Sequence, residues 1–182
     1  MSTTARLAPL SAPYDDTVQR NFDRLAALGS EPLKLFRTVA HNPRVLDRLF
    51  AGSLLDRGAL NLRQRELVIL RTCARSGCEY EWGVHVALFA KRAGLSQEEI
   101  CTLGPHIEAG AWSEAESALL AAADALHESA TLPDAQWQAL QAHYSPAQIV
   151  EILALAGYYR TIAYLANALR VEPEAYGAAF PA

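Results

Sequence analysis

Signals for helix starts recur along the whole chain, whereas signals for strands are nearly absent. Ser96–Glu99 and Ser113–Glu116 fit the capping box, in which two side chains satisfy free backbone amides reciprocally. Other starts carry a polar cap or a first-turn proline, at Asn42-Pro43, Pro133 and Ser145-Pro146. Sustained alternation of apolar and polar residues is missing, as are Asn-Gly and Asp-Gly turns. The sequence therefore predicts an all-α fold, a single-domain helical bundle.

Apolar spacing and the breaks between apolar runs give approximate helix boundaries. The expected segments are Val18 to Gly29, Leu33–Ala40, Asn42 to about Gly58, Leu62–Ser76, Cys78–Ala93, one from Pro133, and Ser145 to about Val171. Residues 1–13 are expected to form an irregular arm. Residues 14–182 are expected to form one domain, because no linker is long enough to separate two.

The charge and composition of the chain limit the classes of partner that the protein is expected to bind. The 182 residues include 16 basic and 20 acidic side chains, for a net charge of −4, and a nucleic-acid surface would need a basic surplus. No apolar run approaches the roughly 18 residues of a membrane span. With three cysteines and no secretion signal, we expect a cytoplasmic protein without nucleic-acid or membrane partners.

The segment that follows Gly77 carries polar groups on an otherwise apolar stripe. At about 100° per residue, one helix face collects Cys78, Glu81, Trp82, His85 and Phe89. Glu81 and His85 are four residues apart, so their side chains can touch. Ionisable groups held on a buried stripe have shifted pKa values, as acid–base catalysis requires. The structural alternative is a solvated Glu–His pair beside a core cysteine.

Glu66 and Cys78 extend this candidate site. Glu66 replaces an apolar residue within the stripe of the preceding helix, and a hairpin at the glycine break would bring it towards His85. A surface pair with an arginine is the alternative. The helix start favours a Cys78 thiolate, but the neighbouring carboxylates disfavour it, so its reactivity stays open. Zinc motifs use tighter His or Cys pairs, and no metal site is expected.

Several segments together resemble the carboxymuconolactone decarboxylase family, which shares its all-helical fold with the alkylhydroperoxidase D proteins. The segments are Arg65–Arg71, Gly77–Trp82, His85 and Ala93–Leu95. The resemblance extends over nearly the whole chain, at Asn42-Pro43, the Ser113 capping box, Gly157-Tyr158-Tyr159 and Asn167.

The alkylhydroperoxidase D pattern is a glutamate, a Cys-x-x-Cys and a histidine four residues after the second cysteine. Glu66, Cys78 and His85 match it, but Glu81 stands at the second cysteine. The resemblance therefore implies that the dithiol cycle of those proteins cannot run here. The decarboxylases, which lack the redox pair, are similar at Glu81-x-x-x-His85. The family also implies a homo-oligomer with sites near subunit contacts.

These residues favour acid–base catalysis, and the resemblance implies that it is cofactor-free and acts on a small carboxylated lactone or keto acid, by decarboxylation, isomerisation or a related proton transfer. His85 would donate the proton, Glu81 would orient it or act as the base, and Glu66 would complete the relay. The expected walls of the substrate pocket are Tyr80, Trp82 and Phe89. One alternative is a hydroperoxide reductase that oxidises Cys78 to a sulfenic acid, which an external thiol reduces. Another is a non-catalytic oligomeric binding protein.

Overall fold

The computed structural model describes residues 4–26, 31–105 and 112–181. Within these ranges the regular structure is helical and includes no strand, which confirms the all-α prediction. The helices are α1 (Asp16–Ala26), α2 (Lys34–Val39), α3 (Pro43–Ala51), α4 (Leu62–Arg75), α5 (Glu79–His85), α6 (Gln97–Leu103), α7 (Glu114–Ser129), α8 (Asp134–His143) and α9 (Pro146–Leu169). A π-helical segment, Val86–Ala90, continues α5.

The helix starts lie where local chemistry predicts them. The capping boxes at Ser96 and Ser113 are both present, and α3 begins at Pro43 after its Asn42 cap. The predicted end of α3 near Gly58 is wrong, because the helix ends at Ala51 and Gly52 caps it. The expected end of the first helix at Gly29 lies outside the described residues. The division into an arm and one domain stays a prediction.

Helix α4 lies at the centre of the fold. All its residues from Glu66 to Ala74 are buried, and the helix packs against α5, α7 and α9. A short turn joins α4 to α5, in which Gly77 adopts a φ of 58° and the Cys78 amide donates to Cys73 O. This left-handed conformation suits glycine, which has no Cβ to clash. The turn places α5 antiparallel to α4, so side chains of the two helices meet in the core.

Helix α9 is long and apolar enough to span a membrane, judged by length and composition alone. That is weak evidence, because a core helix of a soluble protein satisfies the same criteria. Its buried side chains, which include Ile152, Leu155, Tyr159 and Ile162, belong to the same core as those of α4. Core packing therefore accounts for the apolar character of this face.

Residues 172–181, hereafter the tail, cross α5 after α9 ends. The Ala178 amide donates to Gly83 O over 3.2 Å, and the rings of Phe180 and Trp82 lie 5.3 Å apart. A Cβ at Gly83 would overlap the backbone of Ala178. A glycine at this position is what allows the tail to approach α5 so closely.

Candidate active site

Three helices bring four polar side chains together in the core. His85 of α5 contacts Glu66 of α4 through Nδ1 and Oε2, which are 2.7 Å apart. Its other nitrogen, Nε2, lies 3.0 Å from Tyr159 Oη of α9 and 3.5 Å from Glu81 Oε1, one turn earlier on α5. All four residues are buried. The expected approach of Glu66 to His85 across the α4–α5 hairpin is confirmed.

Glu66 is held by two partners. Its Oε1 accepts a hydrogen bond from Arg65 Nε over 3.2 Å, while Oε2 faces His85. The Arg65 guanidinium also lies over the ring of Phe89, 5.6 Å from its centroid. Glu66 thus pairs with an arginine, as the structural alternative expected, but it is fully buried instead of lying at the surface. A buried carboxylate needs such partners, since desolvation of an unpaired charge is costly.

The surroundings of His85 favour its protonated form. Burial lowers the pKa of His85, but hydrogen bonds and charges of Glu66 and Glu81 outweigh burial and raise that pKa to about 9. Burial also raises the pKa of Tyr159 well above its usual value, so its phenol keeps its proton. The neighbouring carboxylates therefore favour an imidazolium with a proton on each nitrogen, for which Glu66 Oε2 is the acceptor at Nδ1, while Tyr159 Oη and Glu81 Oε1 lie 3.0 and 3.5 Å from Nε2. The arrangement is that of a buried general acid.

Of the four polar side chains in this group, Glu81 is the one that has a buried oxygen without a hydrogen-bond partner among the described residues. Its side chain is 7% exposed, and Oε1 makes the 3.5 Å ion pair with His85. Its second oxygen, Oε2, is buried and has no hydrogen-bond partner among the residues that the structure describes. Across those residues, no group of three or more His, Cys, Asp or Glu side chains could hold a metal ion.

A cleft of about 400 Å³ gives access to this group, and Glu81, His85 and Tyr159 are among its lining residues. This volume lies within the range of small-molecule sites. Most of the wall is aromatic or aliphatic, with segments of α2, α3, α5, α9 and the tail contributing. The aromatic lining residues are Phe36, Phe50, Phe89, Tyr158, Tyr159 and Tyr176.

Of the three expected pocket walls, only Phe89 lines this cleft, with its ring centroid 5.1 Å from that of His85. Tyr80 and Trp82 are not among the residues that line it, and their role in substrate binding stays a prediction. Tyr80 points towards α2 and the tail, where its hydroxyl donates to Glu174, and Trp82 packs against the tail. Each is adjacent to Glu81 in sequence and is therefore rotated by about 100° from it around the helix.

Cys78 lies apart from the cleft. It caps the start of α5, is fully buried, and is not among the cleft-lining residues. Burial raises the pKa of its thiol to about 12, because the Glu81 backbone amide, which lowers it, does not compensate. A thiol with such a pKa is almost entirely protonated at neutral pH and is a poor nucleophile. The structure thus brings together Glu66, Glu81 and His85 but not Cys78.

Tyr159 was not among the predicted site residues. The sequence contained a signal for it. Tyr159 lies between Leu155 and Ile162 on the apolar face of α9, and its hydroxyl is a polar group on that face. Buried tyrosine hydroxyls normally find a hydrogen-bond partner. Its partner could not be named from the sequence, because His85 lies 74 positions away.

Part of the chain matches the model of a known protein family. Residues 42–125, which contain Glu66, Glu81 and His85, match the model of the carboxymuconolactone decarboxylase family. No curated protein sequence matches the chain significantly.

Solved structures show the same fold. A protein of unknown function from Agrobacterium tumefaciens, whose suggested role is AhpD-type antioxidant defence, is 26% identical over 75% of this chain and 94% of its own, with a TM-score of 0.65. An uncharacterized peroxidase-related protein from Silicibacter sp. TM1040 is 20% identical over 97% of each chain, with a TM-score of 0.79. The debrominase Bmp8 is 21% identical over 96% of this chain and 95% of its own, with a TM-score of 0.74. The last two likenesses concern the fold alone. Residues 42–125 are thus similar to the carboxymuconolactone decarboxylase family, and the fold is similar to that of an AhpD-type protein.

Proposed function

We propose that this protein is a proton-transfer enzyme that acts on a small organic carbonyl compound without a cofactor, with His85 as the general acid. One observation carries the proposal. The buried imidazole of His85, whose pKa the carboxylates of Glu66 and Glu81 raise, is held between Glu66 and Tyr159 in an apolar cleft that Glu81 also lines. Acid and base side chains in one desolvated site are what proton transfer between substrate atoms requires.

The geometry supports a closed proton cycle. Glu81 accepts a proton from one substrate atom while His85 donates the Nε2 proton to a carbon, which leaves both groups neutral. The proton then returns from Glu81 to His85, since Oε1 and Nε2 are 3.5 Å apart. Glu66 keeps the imidazole oriented through Nδ1 throughout.

A likeness among solved structures supports a small-molecule substrate. A cysteine-to-alanine variant of the debrominase Bmp8, which shares the fold at 21% identity and a TM-score of 0.73, is complexed with 2,3,4-tribromopyrrole. A ring of that size is compatible with a cleft of about 400 Å³.

The experiment that tests this function is solvent deuterium incorporation into small enolisable lactones and ketones, followed by mass spectrometry. His85→Gln should lower the rate at least tenfold, because a positioned general acid typically contributes about 10²–10⁴-fold. His143→Gln is the matched control, since His143 is exposed at the end of α8. An unchanged rate in His85→Gln on a confirmed substrate would remove His85 from the mechanism.

A hydroperoxide reductase that depends on Cys78 is the second candidate, because a structure of similar fold is described as peroxidase-related. The burial and raised pKa of the thiol rank it lower. Hydrogen peroxide consumption that disappears in Cys78→Ala would favour it over proton transfer. A non-catalytic binding protein is the third candidate, and its function should survive single substitutions of Glu66, Glu81 and His85.

The homo-oligomeric state and the cytoplasmic location remain part of this proposal, as does the absence of nucleic-acid and membrane partners. The similarity of residues 42–125 to the family supports the homo-oligomeric state. Light scattering on the purified chain would measure the oligomer size.

A further inference from the structure

We infer that the substrate of the cleft is a neutral aromatic molecule that donates an O–H or N–H hydrogen bond to Glu81, and that carboxylated substrates are disfavoured. The inference rests on the proposed function, in that Glu81 and His85 are taken as the reacting pair. It differs from the carboxylated lactone or keto acid expected from the sequence.

The first argument is the charge of the lining. Among the described residues that line the cleft, Glu31 and Glu81 are acidic, and neither arginine nor lysine is present. His85 is the one cationic group there, and its two nitrogens face Glu66 and Tyr159. The charge of His85 is already paired with the carboxylates of Glu66 and Glu81, so a ligand carboxylate beside Glu81 would meet no cationic group in this lining that lacks an acidic partner. Burial of an unpaired charge next to a like charge is strongly unfavourable.

The second argument is the unpartnered oxygen of Glu81. Oε2 is buried and lacks a hydrogen-bond partner within residues 4–26, 31–105 and 112–181, although its side chain lines the cleft. Buried carboxylate oxygens without a donor are rare and costly. A neutral hydroxyl or ring N–H that meets the Glu81 carboxylate from the cleft would supply the donor that this carboxylate lacks, through a short, charge-assisted hydrogen bond. The free acceptor thus specifies a donor on the ligand.

The third argument is the aromatic wall. Phe36 and Phe50 meet edge to face with centroids 4.8 Å apart, and Tyr158 and Tyr159 do so at 5.4 Å. Phe89 adds a fifth ring beside His85. Such walls favour a flat ring, which gains edge and offset-stacked contacts beyond simple apolar burial.

Three para-substituted ethylbenzenes of similar size separate these properties: 4-ethylphenol donates a hydrogen bond, 4-ethylanisole does not, and 4-ethylbenzoate carries the carboxylate. Dissociation constants are measured at neutral pH on the full chain by isothermal titration calorimetry and ligand-observed NMR. The phenol should bind at least tenfold more tightly than the other two, as a hydrogen bond to a charged group provides. Glu81→Gln should weaken phenol binding and strengthen benzoate binding. Glu128→Gln removes the same charge from a 64% exposed side chain that pairs with Arg75 and does not line the cleft, and it should leave the preference unchanged.

Benzoate binding that equals or exceeds phenol binding in the unmodified protein would overturn the inference, as would failure of all three probes to bind at their solubility limits. Because this readout is made on the unmodified chain, it does not depend on the folding of any variant. The proposed function fails separately, when deuterium incorporation is unaffected by His85→Gln. A preference for the phenol combined with unaffected incorporation would keep the ligand class and reject the reaction.

Discussion

Replacement of Glu66 by glutamine isolates the charge that keeps His85 protonated. The substitution keeps the size of the side chain and one acceptor oxygen, but it removes the negative charge that lies 2.7 Å from Nδ1. Burial lowers the pKa of His85, and in this variant only the charge of Glu81 still raises it. We expect the pKa of His85 to fall markedly from about 9 in Glu66→Gln.

The size of the effect follows from the pKa itself. The rise from 6.5 to about 9 corresponds to a preference of about 3 kcal/mol for the protonated form in the folded state. Because the folded-state pKa is the higher one, this stability is fully present below pH 6.5. It is lost as the pH rises through about 9. The unmodified protein should therefore lose up to about 3 kcal/mol of unfolding free energy across this window, and Glu66→Gln should lose much less.

Two measurements check this prediction. NMR of the ¹⁵N-labelled imidazole gives the pKa of His85 directly, and urea unfolding at pH 6 and pH 9.5 gives the pH-dependent stability. Glu128→Gln is the matched control, since it removes one negative charge from a side chain that is 64% exposed. A His85 pKa near 9 in Glu66→Gln would refute the assignment of the buried ion pair as its cause.

Three further predictions concern neighbouring parts of the site. Tyr159→Phe removes the hydroxyl that lies 3.0 Å from the imidazole Nε2. It should lower the rate of deuterium incorporation about tenfold, because the general acid loses a group that orients it. An unchanged rate would exclude a role for this hydroxyl. Cys78, buried and with a raised pKa, should be alkylated by iodoacetamide far more slowly than the exposed Cys101, as mass spectrometry of labelled peptides would show; comparable rates would contradict the burial. Gly83→Ala should lower the unfolding free energy by about 1–3 kcal/mol, because the added Cβ would overlap the tail. Gly157→Ala is the control and should not lower it, since a Cβ at Gly157 meets open space. Equal effects of the two substitutions in thermal unfolding would argue against the contact between Gly83 and the tail.

The fold was largely predictable because helix starts depend on local chemistry. The boxes at Ser96 and Ser113 involve residues three apart, and no tertiary contact is needed to recognise them. The end of α3 was missed for the opposite reason. Leu54 and Leu55 continue an apolar pattern beyond Gly52, but the backbone leaves the helix at the glycine, and Leu54 adopts a positive φ of 51°.

The site was predictable only in part. Glu66 and His85 lie on consecutive helices joined by a tight turn, so their contact follows from sequence order. Tyr80 and Trp82 were assigned to the pocket on the assumption that one face of α5 is buried. In the structure every residue from Tyr80 to His85 is buried, so burial does not identify the face that meets the cleft. That face is determined by α2, α9 and the tail, which are distant in sequence.

The π-helical segment Val86–Ala90 makes the site sensitive to chain length as well as to side-chain identity. Hydrogen bonds in such a segment span five residues instead of four, so it holds one residue more than an α-helical turn. Deletion of the exposed Ala87 would allow a regular helix to form and would rotate Phe89 by about 100° relative to His85. Substitutions at exposed positions of the segment leave this register intact. In an alignment of chains that retain the cleft, the interval between His85 and Gly94 should therefore be free of insertions and deletions, even where its residues vary.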